Sequence, residues 1–157
     1  MPRQRPCSKL KSNIFEGKED AMARFRTVAA AAIFLFGTTF LWFMPSFLGT
    51  GAEVEGAIWS VIQLLVLATV VGHVGAAWAL YRATTWWRPL AIGGSVVGTM
   101  VLGLWWLAVN SLSGATNMAA NLALHAIGIA VLLLMLLIPS LRRGVDRLLT
   151  GHLRHGT

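Results

Sequence analysis

The stretch NMAANLALHAIGIAVLLLMLLI, residues 117–138, predicts a membrane-spanning helix that carries a polar stripe along one side. Asn117, Asn121 and His125 are spaced four residues apart, so on a helix they fall within roughly 80° of arc. Because hydrocarbon offers no hydrogen bonds, this stripe must face another helix, a ligand or a water-filled notch. These three residues form a predicted polar notch, the first candidate for a functional site.

The composition predicts that most of the chain is embedded in a membrane. Of the 157 residues, 56% are hydrophobic and only 12% are charged, whereas a soluble domain has about 25% charged residues. Three further apolar stretches are long enough to cross a hydrocarbon core of about 30 Å. The transmembrane domain, residues 27–139, is predicted to contain spans at residues 27–48, 57–81, 89–109 and 117–138.

The placement of the basic residues predicts the orientation of the chain. Lysines and arginines flank both termini and the connection 82–88, while the other two connections carry none. The positive-inside rule then places both termini in the cytoplasm. With short connections, this favours an all-α integral membrane protein, a four-helix up-down antiparallel bundle in a bacterial-type inner membrane.

The two ends of the chain are predicted to lie outside the membrane core. Residues 1–26 form a polar, basic tail without the apolar core of a signal peptide. Met22 is a second plausible start, which would make residues 1–21 an extension outside the working protein. Residues 140–157 form a basic amphipathic tail, predicted to include a short helix on the inner leaflet.

The connection between the second and third spans contains two arginines and a pair of tryptophans. Trp86 and Trp87 are predicted to lie among lipid head groups, and Arg82 and Arg88 to face phosphates. These four residues are therefore predicted interface anchors, and membrane lipid is a predicted partner.

Small and aromatic residues on the spans predict close helix packing. Gly72 and Gly75 flank His73, and Gly94 and Gly98 have the GxxxG spacing that lets two helices approach closely. Four phenylalanines in the first span recur every three or four residues and make one continuous aromatic face. That face either packs against lipid or another helix, or forms the wall of a site for a flat pigment or other hydrophobic ligand. Its members are Phe36, Phe40, Phe43 and Phe47.

The two membrane histidines are predicted to lie at different depths. Counted from the starts of their spans, His73 lies deeper than His125 by about 12 Å, which argues against one haem or metal ion held by both. His73 is predicted to be structural, bonded by the hydroxyls of Ser95 or Thr99. His125 is predicted to lie in the notch near the level of Thr38, Thr39, Trp42, Gly103 and Trp106. A single-histidine haem or chlorophyll-type pigment site at His125 or His73 stays open.

The sequence indicates contact surfaces more than chemistry. No charged residue lies within a predicted span, and no catalytic, phosphate-binding or metal-binding motif occurs, so an enzyme is not predicted. The single cysteine, Cys7, excludes an intramolecular thiol pair, and the basic residues lack the pattern of a nucleic-acid binder.

Three functions fit this pattern. The first is a non-catalytic accessory or structural subunit of a larger inner-membrane complex, with other membrane protein subunits as partners. The alternative is a haem, pigment or hydrophobic-ligand binding membrane protein that uses a single histidine. A small transporter component is the weaker alternative.

Overall fold

The computed structural model describes residues 7–44, 56–109 and 118–150, and throughout these ranges the regular structure is helical. Asn117 and Phe47 lie outside the described residues. Five α-helices are present in this part of the chain, and a 3-10 turn at Phe40–Phe43 extends the first of them. The helices are α1 (Cys7–Thr39), α2 (Ala57–Tyr81), α3 (Trp87–Val109), α4 (Met118–Leu137) and α5 (Pro139–Thr150).

Four helical segments in the described ranges are long and apolar enough to span a membrane. The predicted all-helical class and the four apolar spans are thereby confirmed for this part of the chain. The bounds of α2 are those predicted from the sequence, because its apolar run begins and ends at clear loop signals. The four segments are Asp20–Phe43, Ala57–Tyr81, Trp87–Ala108 and Ala119–Leu137.

The first helix begins much earlier than the predicted span. α1 starts at Cys7 and continues through most of the polar segment 1–26. Alanine, lysine, glutamate and arginine are good helix formers, and extending an existing helix costs much less than nucleating a new one. Helical structure therefore reaches well beyond the apolar residues that cross the membrane.

A tight turn joins α2 to α3. The amide of Thr84 donates to the carbonyl of Ala79 at 2.9 Å, and the amide of Ala83 donates to that of Leu80 at 3.0 Å. This is a Schellman ending, in which Ala83 takes the left-handed conformation (φ 54°) usually filled by glycine. The turn brings the end of α2 directly beside the start of α3.

The residues of this turn are not equivalent membrane anchors. Trp86 is 71% exposed, but Trp87 is only 3% exposed and packs among the helices. Arg88 pairs with Asp146 of α5 instead of being fully exposed toward phosphate. The predicted interface anchors therefore have different surroundings, because α5 docks against this end of the protein, where Leu149 shares an apolar cluster with Trp87 and Asp146 pairs with Arg88.

Two apolar clusters lie on either side of His73. In the first, Phe40 and Phe43 at the end of α1 pack with Trp59 and Ile62 near the start of α2. In the second, Ala30 lies earlier in α1 and packs among residues from the end of α2 and from other helices. Leu149 in this second cluster shows that α5 places part of its apolar side on the protein. The second cluster contains Ala30, Ala76, Ala79, Leu80, Trp87, Ala91, Leu136 and Leu149.

Candidate functional site

His73 occupies the centre of the protein, where three helices approach closely. Its side chain is fully buried. A Cβ added to Gly37 of α1 would overlap the Cβ of His73, and one added to Gly94 of α3 would lie 2.9 Å from its Nδ1. The two glycines therefore leave the space that the imidazole fills between α1 and α3.

The hydrogen bonding of His73 differs from the prediction. Its Nδ1 lies 2.9 Å from the carbonyl oxygen of Thr69 in its own helix and so donates to it. Neither predicted hydroxyl bonds the ring: Thr99 donates to the carbonyl of Ser95, and the Ser95 hydroxyl has no partner among the described residues. Nε2 of His73 is likewise buried without a hydrogen-bond partner in this part of the chain.

The GxxxG glycines of α3 serve two different contacts within the chain. A Cβ on Gly72 of α2 would lie 2.9 Å from the Cα of Gly94, so α2 and α3 touch at this level. Gly98 instead faces the Phe40 ring and Ile129 of α4. Gly75, by contrast, meets only the end of a leucine side chain at 3.4 Å. The motif therefore packs this chain's own helices.

His125 is held by α4 and by α1. The side chain is 4% exposed, and Nδ1 donates to the carbonyl of Asn121 at 2.8 Å. Nε2 lies 2.9 Å from the hydroxyl oxygen of Thr39, across the gap between the two helices. The same hydroxyl lies 2.6 Å from the carbonyl of Phe36, so its one proton serves two neighbouring acceptors.

Aromatic rings of the first span surround the imidazole of His125. The centroids of Phe40 and Phe43 lie 4.9 Å and 4.8 Å from its own, both edge-to-face, and Phe36 stacks at 6.1 Å. These are favourable aromatic geometries. The predicted aromatic face thus points inward for these three phenylalanines and packs against histidine.

The two histidines lie much closer than predicted. The Phe40 centroid is 5.9 Å from the His73 centroid and 4.9 Å from that of His125. On α1, Gly37 faces the Cβ of His73, and Thr39, two residues later, bonds Nε2 of His125, so the two histidines meet levels of α1 only about 3 Å apart. The predicted difference in depth is wrong, since it assumed that both helices start at the same height without tilt. His73 and His125 belong to one cluster around Phe40.

A cleft of about 520 Å³ opens between the end of α1 and the first half of α4. Thr39, Asn121 and His125 provide its polar groups, and the other side chains are apolar or aromatic. Gly128 allows the Phe36 ring to lie directly against α4, because a Cβ there would overlap that ring. The cleft is lined by Phe36, Thr39, Trp42, Asn121, Leu124, His125, Ile127 and Gly128.

The cleft contains part of the predicted polar notch. Asn121 and His125 line it together with Thr39 and Trp42, whereas Asn117 lies outside the described residues. The aromatic face that contains Phe36 was one predicted wall for a hydrophobic ligand, but it was not assigned to this notch. The spacing of the phenylalanines was the available signal, but it did not show which histidine they would contact.

Neither histidine offers an accessible nitrogen to a metal-containing pigment in this arrangement. Both ring nitrogens of His125 are engaged, one by the Asn121 carbonyl and one by Thr39. Nε2 of His73 has no partner among the described residues, but the side chain has no exposed surface. A haem or chlorophyll-type pigment would therefore require either histidine to rearrange. The cleft suits a ligand held by hydrogen bonds and apolar contact.

Comparisons of the chain with protein-family models, curated proteins and solved structures find no match. The fold and the site therefore define the protein by class. Its described residues form an all-helical protein with four helices able to span a membrane, which indicates an integral membrane protein in contact with lipid.

Proposed function

We propose that this protein binds a lipid-soluble ligand in the cleft between α1 and α4, as a non-catalytic membrane protein. The cleft itself carries the proposal. Its volume of about 520 Å³ lies within the range of about 300–1,000 Å³ typical of small-molecule sites. Such sites combine mostly apolar walls with a few polar groups, and Thr39, Asn121 and His125 supply those groups here.

The exposed side chains beside the polar groups support entry from the lipid. Leu124 is 68% exposed, Ile127 is 61% exposed and Trp42 is 60% exposed, although all three line the cleft. A hydrophobic molecule dissolved in the bilayer therefore reaches the cleft sideways between α1 and α4. His125 at 4% exposure lies at the base, where Phe40 and Phe43 back it.

Filling the cleft is expected to abolish ligand binding. The Ile127→Trp variant places an indole where the ligand body would lie, and we expect it to retain at least about tenfold less native lipid-soluble ligand after purification. The measurement is mass spectrometry of organic extracts from the purified protein. Leu64→Trp is the matched control, because Leu64 is 68% exposed, close to the 61% of Ile127, but lies on α2 outside the cleft. Equal ligand content in both variants would contradict the proposal.

We further propose the predicted topology, an up-down antiparallel bundle with both termini in the cytoplasm of a bacterial-type cell. The contacts of the helix ends support it, because the end of α1 packs with the start of α2. Arg88 pairs with Asp146, and Leu149 and Ala30 belong to one apolar cluster, which brings three basic regions of the chain to one end. The positive-inside rule assigns that end to the cytoplasm.

Reporter fusions test this topology. A fluorescent protein that folds only in the cytoplasm is expected to fluoresce when fused after Thr157. Alkaline phosphatase, active only outside, is expected to be active when inserted in the connection 49–56. Alkaline phosphatase activity after Thr157 together with fluorescence from the connection 49–56 would show the reversed orientation. Activity of both reporters at one site would argue against a single topology.

The accessory-subunit function stays a prediction from the sequence. Outside the cleft, the exposed tryptophans Trp78, Trp86 and Trp106 are consistent with partner contacts, since tryptophan is enriched at protein interfaces. Stoichiometric co-purification from native membranes would support that role. The small-transporter function has no separate observation in its favour.

A further inference from the structure

The side chain of Asn121 identifies the polar end of the cleft. Its backbone carbonyl accepts the bond from His125, but its side-chain amide makes no hydrogen bond to any residue in the described ranges. A carboxamide offers two N–H donors and one acceptor oxygen, and leaving these unmet in an apolar setting is costly. Because Asn121 is half-buried at the cleft wall, a ligand is well placed to supply the missing partner.

The lack of charged side chains in the cleft lining favours an uncharged ligand. None of the residues that line the cleft is aspartate, glutamate, lysine or arginine. On α1, the basic residue Arg26 precedes Phe36 of the cleft by ten positions, so it lies about 15 Å away along the helix. The nitrogens of His125 are directed at Asn121 and Thr39. An ionised head group would therefore lie in a low-dielectric cleft without a hydrogen-bonded counter-charge, which is unfavourable.

The size of the cleft favours a small amphiphile over a partner helix. A helix about 10 Å wide occupies on the order of 400 Å³ per turn, so the cleft of about 520 Å³ holds little more than one turn. Along the helix axes, the lining residues from Asn121 to Gly128 span about 10 Å. That length suits one end of a lipid-like molecule.

The polar and apolar groups also give the ligand a direction. Asn121 is the fourth residue of α4, close to the end of the span, whereas Ile127 and Gly128 lie nearer its middle. A polar end at Asn121 and a hydrocarbon body along Phe36 and Ile127 would match the polarity of the bilayer itself. The ligand would thus keep the orientation it has in the membrane.

We infer that the cleft binds an uncharged amphiphile whose carbonyl or hydroxyl end hydrogen-bonds to the Asn121 amide, with its hydrocarbon body packed along Phe36, Leu124 and Ile127. This inference rests on the proposed function and specifies its ligand class. It differs from the pigment alternative because no metal–histidine bond is involved.

Two probes with the same acyl chain test the inference. Monopalmitoylglycerol has an uncharged ester and hydroxyl head, whereas palmitate has a carboxylate. With the purified full chain in mild detergent, equilibrium binding of radiolabelled probes is expected to be at least about tenfold tighter for monopalmitoylglycerol. Asn121→Leu is expected to remove most of that preference and to change palmitate binding less, because palmitate binding is limited by desolvation of its unpaired carboxylate and not by one amide hydrogen bond.

A matched variant and a blocked cleft separate the possible outcomes. Gln63→Leu removes an exposed amide on α2, outside the cleft, and is expected to bind both probes like the unaltered protein. If palmitate binds as tightly as monopalmitoylglycerol or tighter, and Ile127→Trp blocks that binding, the uncharged ligand class is overturned. The proposed function, ligand binding in the cleft, would still stand. If neither probe binds and Ile127→Trp leaves the native ligand content unchanged, the proposed function itself is overturned.

Discussion

Replacing Phe40 with alanine is expected to lower the free energy of unfolding by about 3 kcal/mol, at the lower end of the range for buried Phe→Ala changes. The side chain has no exposed surface. Its removal leaves a cavity at the point where α1, α2, α3 and α4 meet. We expect a loss at the lower end of this range because lipid surrounds the helices in place of water. The hydrophobic contribution to the free energy of unfolding is therefore smaller than in a soluble protein. The lost ring contacts are those with Phe36, Phe43, His73 and His125.

Reversible unfolding in mixed detergent micelles measures this loss. Phe34→Ala is the matched control, because Phe34 belongs to the same helix but is 45% exposed. We expect that control to stay within about 1 kcal/mol of the unaltered protein. Similar losses for the two variants would mean that Phe40 does not join the two histidines in one packed cluster.

Substituting alanine for Gly37 is expected to destabilise the protein by about 1–3 kcal/mol through overpacking. The added Cβ would overlap the Cβ of His73. Both carbons are attached directly to backbone, so no side-chain rotation relieves the overlap and α1 must move away from α2. The movement would also weaken the contacts of Phe36 and Phe40 with the His73 ring.

Two variants test the cause of that loss. Gly103→Ala adds the same methyl group to α3, where nothing lies within 4 Å, and is expected to be neutral or slightly stabilising. His73→Ala keeps its Cβ, so adding it to Gly37→Ala is not expected to restore stability. Thermal denaturation in detergent compares the unaltered protein with Gly37→Ala, Gly103→Ala and the double variant. Full recovery in the double variant would place the clash at the imidazole instead.

Properties that depend on one helix at a time were predictable from the sequence. The predicted bounds of α2 agree with the structure, and α4 ends within one residue of its prediction. Apolar length and loop signals are local, so they need no knowledge of neighbouring helices. The turn between α4 and α5 is local in the same sense, since Pro139 lacks the amide that a continuous helix requires.

Properties that depend on how helices meet were not predictable in the same way. Trp86 and Trp87 are adjacent and chemically identical, yet one is exposed and the other is covered in a cluster that includes Leu149. Helical periodicity distinguishes their directions but does not show that α5 will fold back. Asn121 and His125 were predicted from their spacing, and Thr39 from its level in the first span. Which residue at that level bonds the imidazole depends on the height and rotation of α1 relative to α4.

By itself, the sequence determined an all-helical chain with four apolar spans and a polar stripe on the last of them. The tertiary structure decided what that stripe faces. The relative heights of the helices place His125 beside Thr39 and bring His73 to the same phenylalanine, Phe40. Hydropathy depends on each residue's own side chain, but helix height depends on packing between distant residues, such as Gly37 against His73.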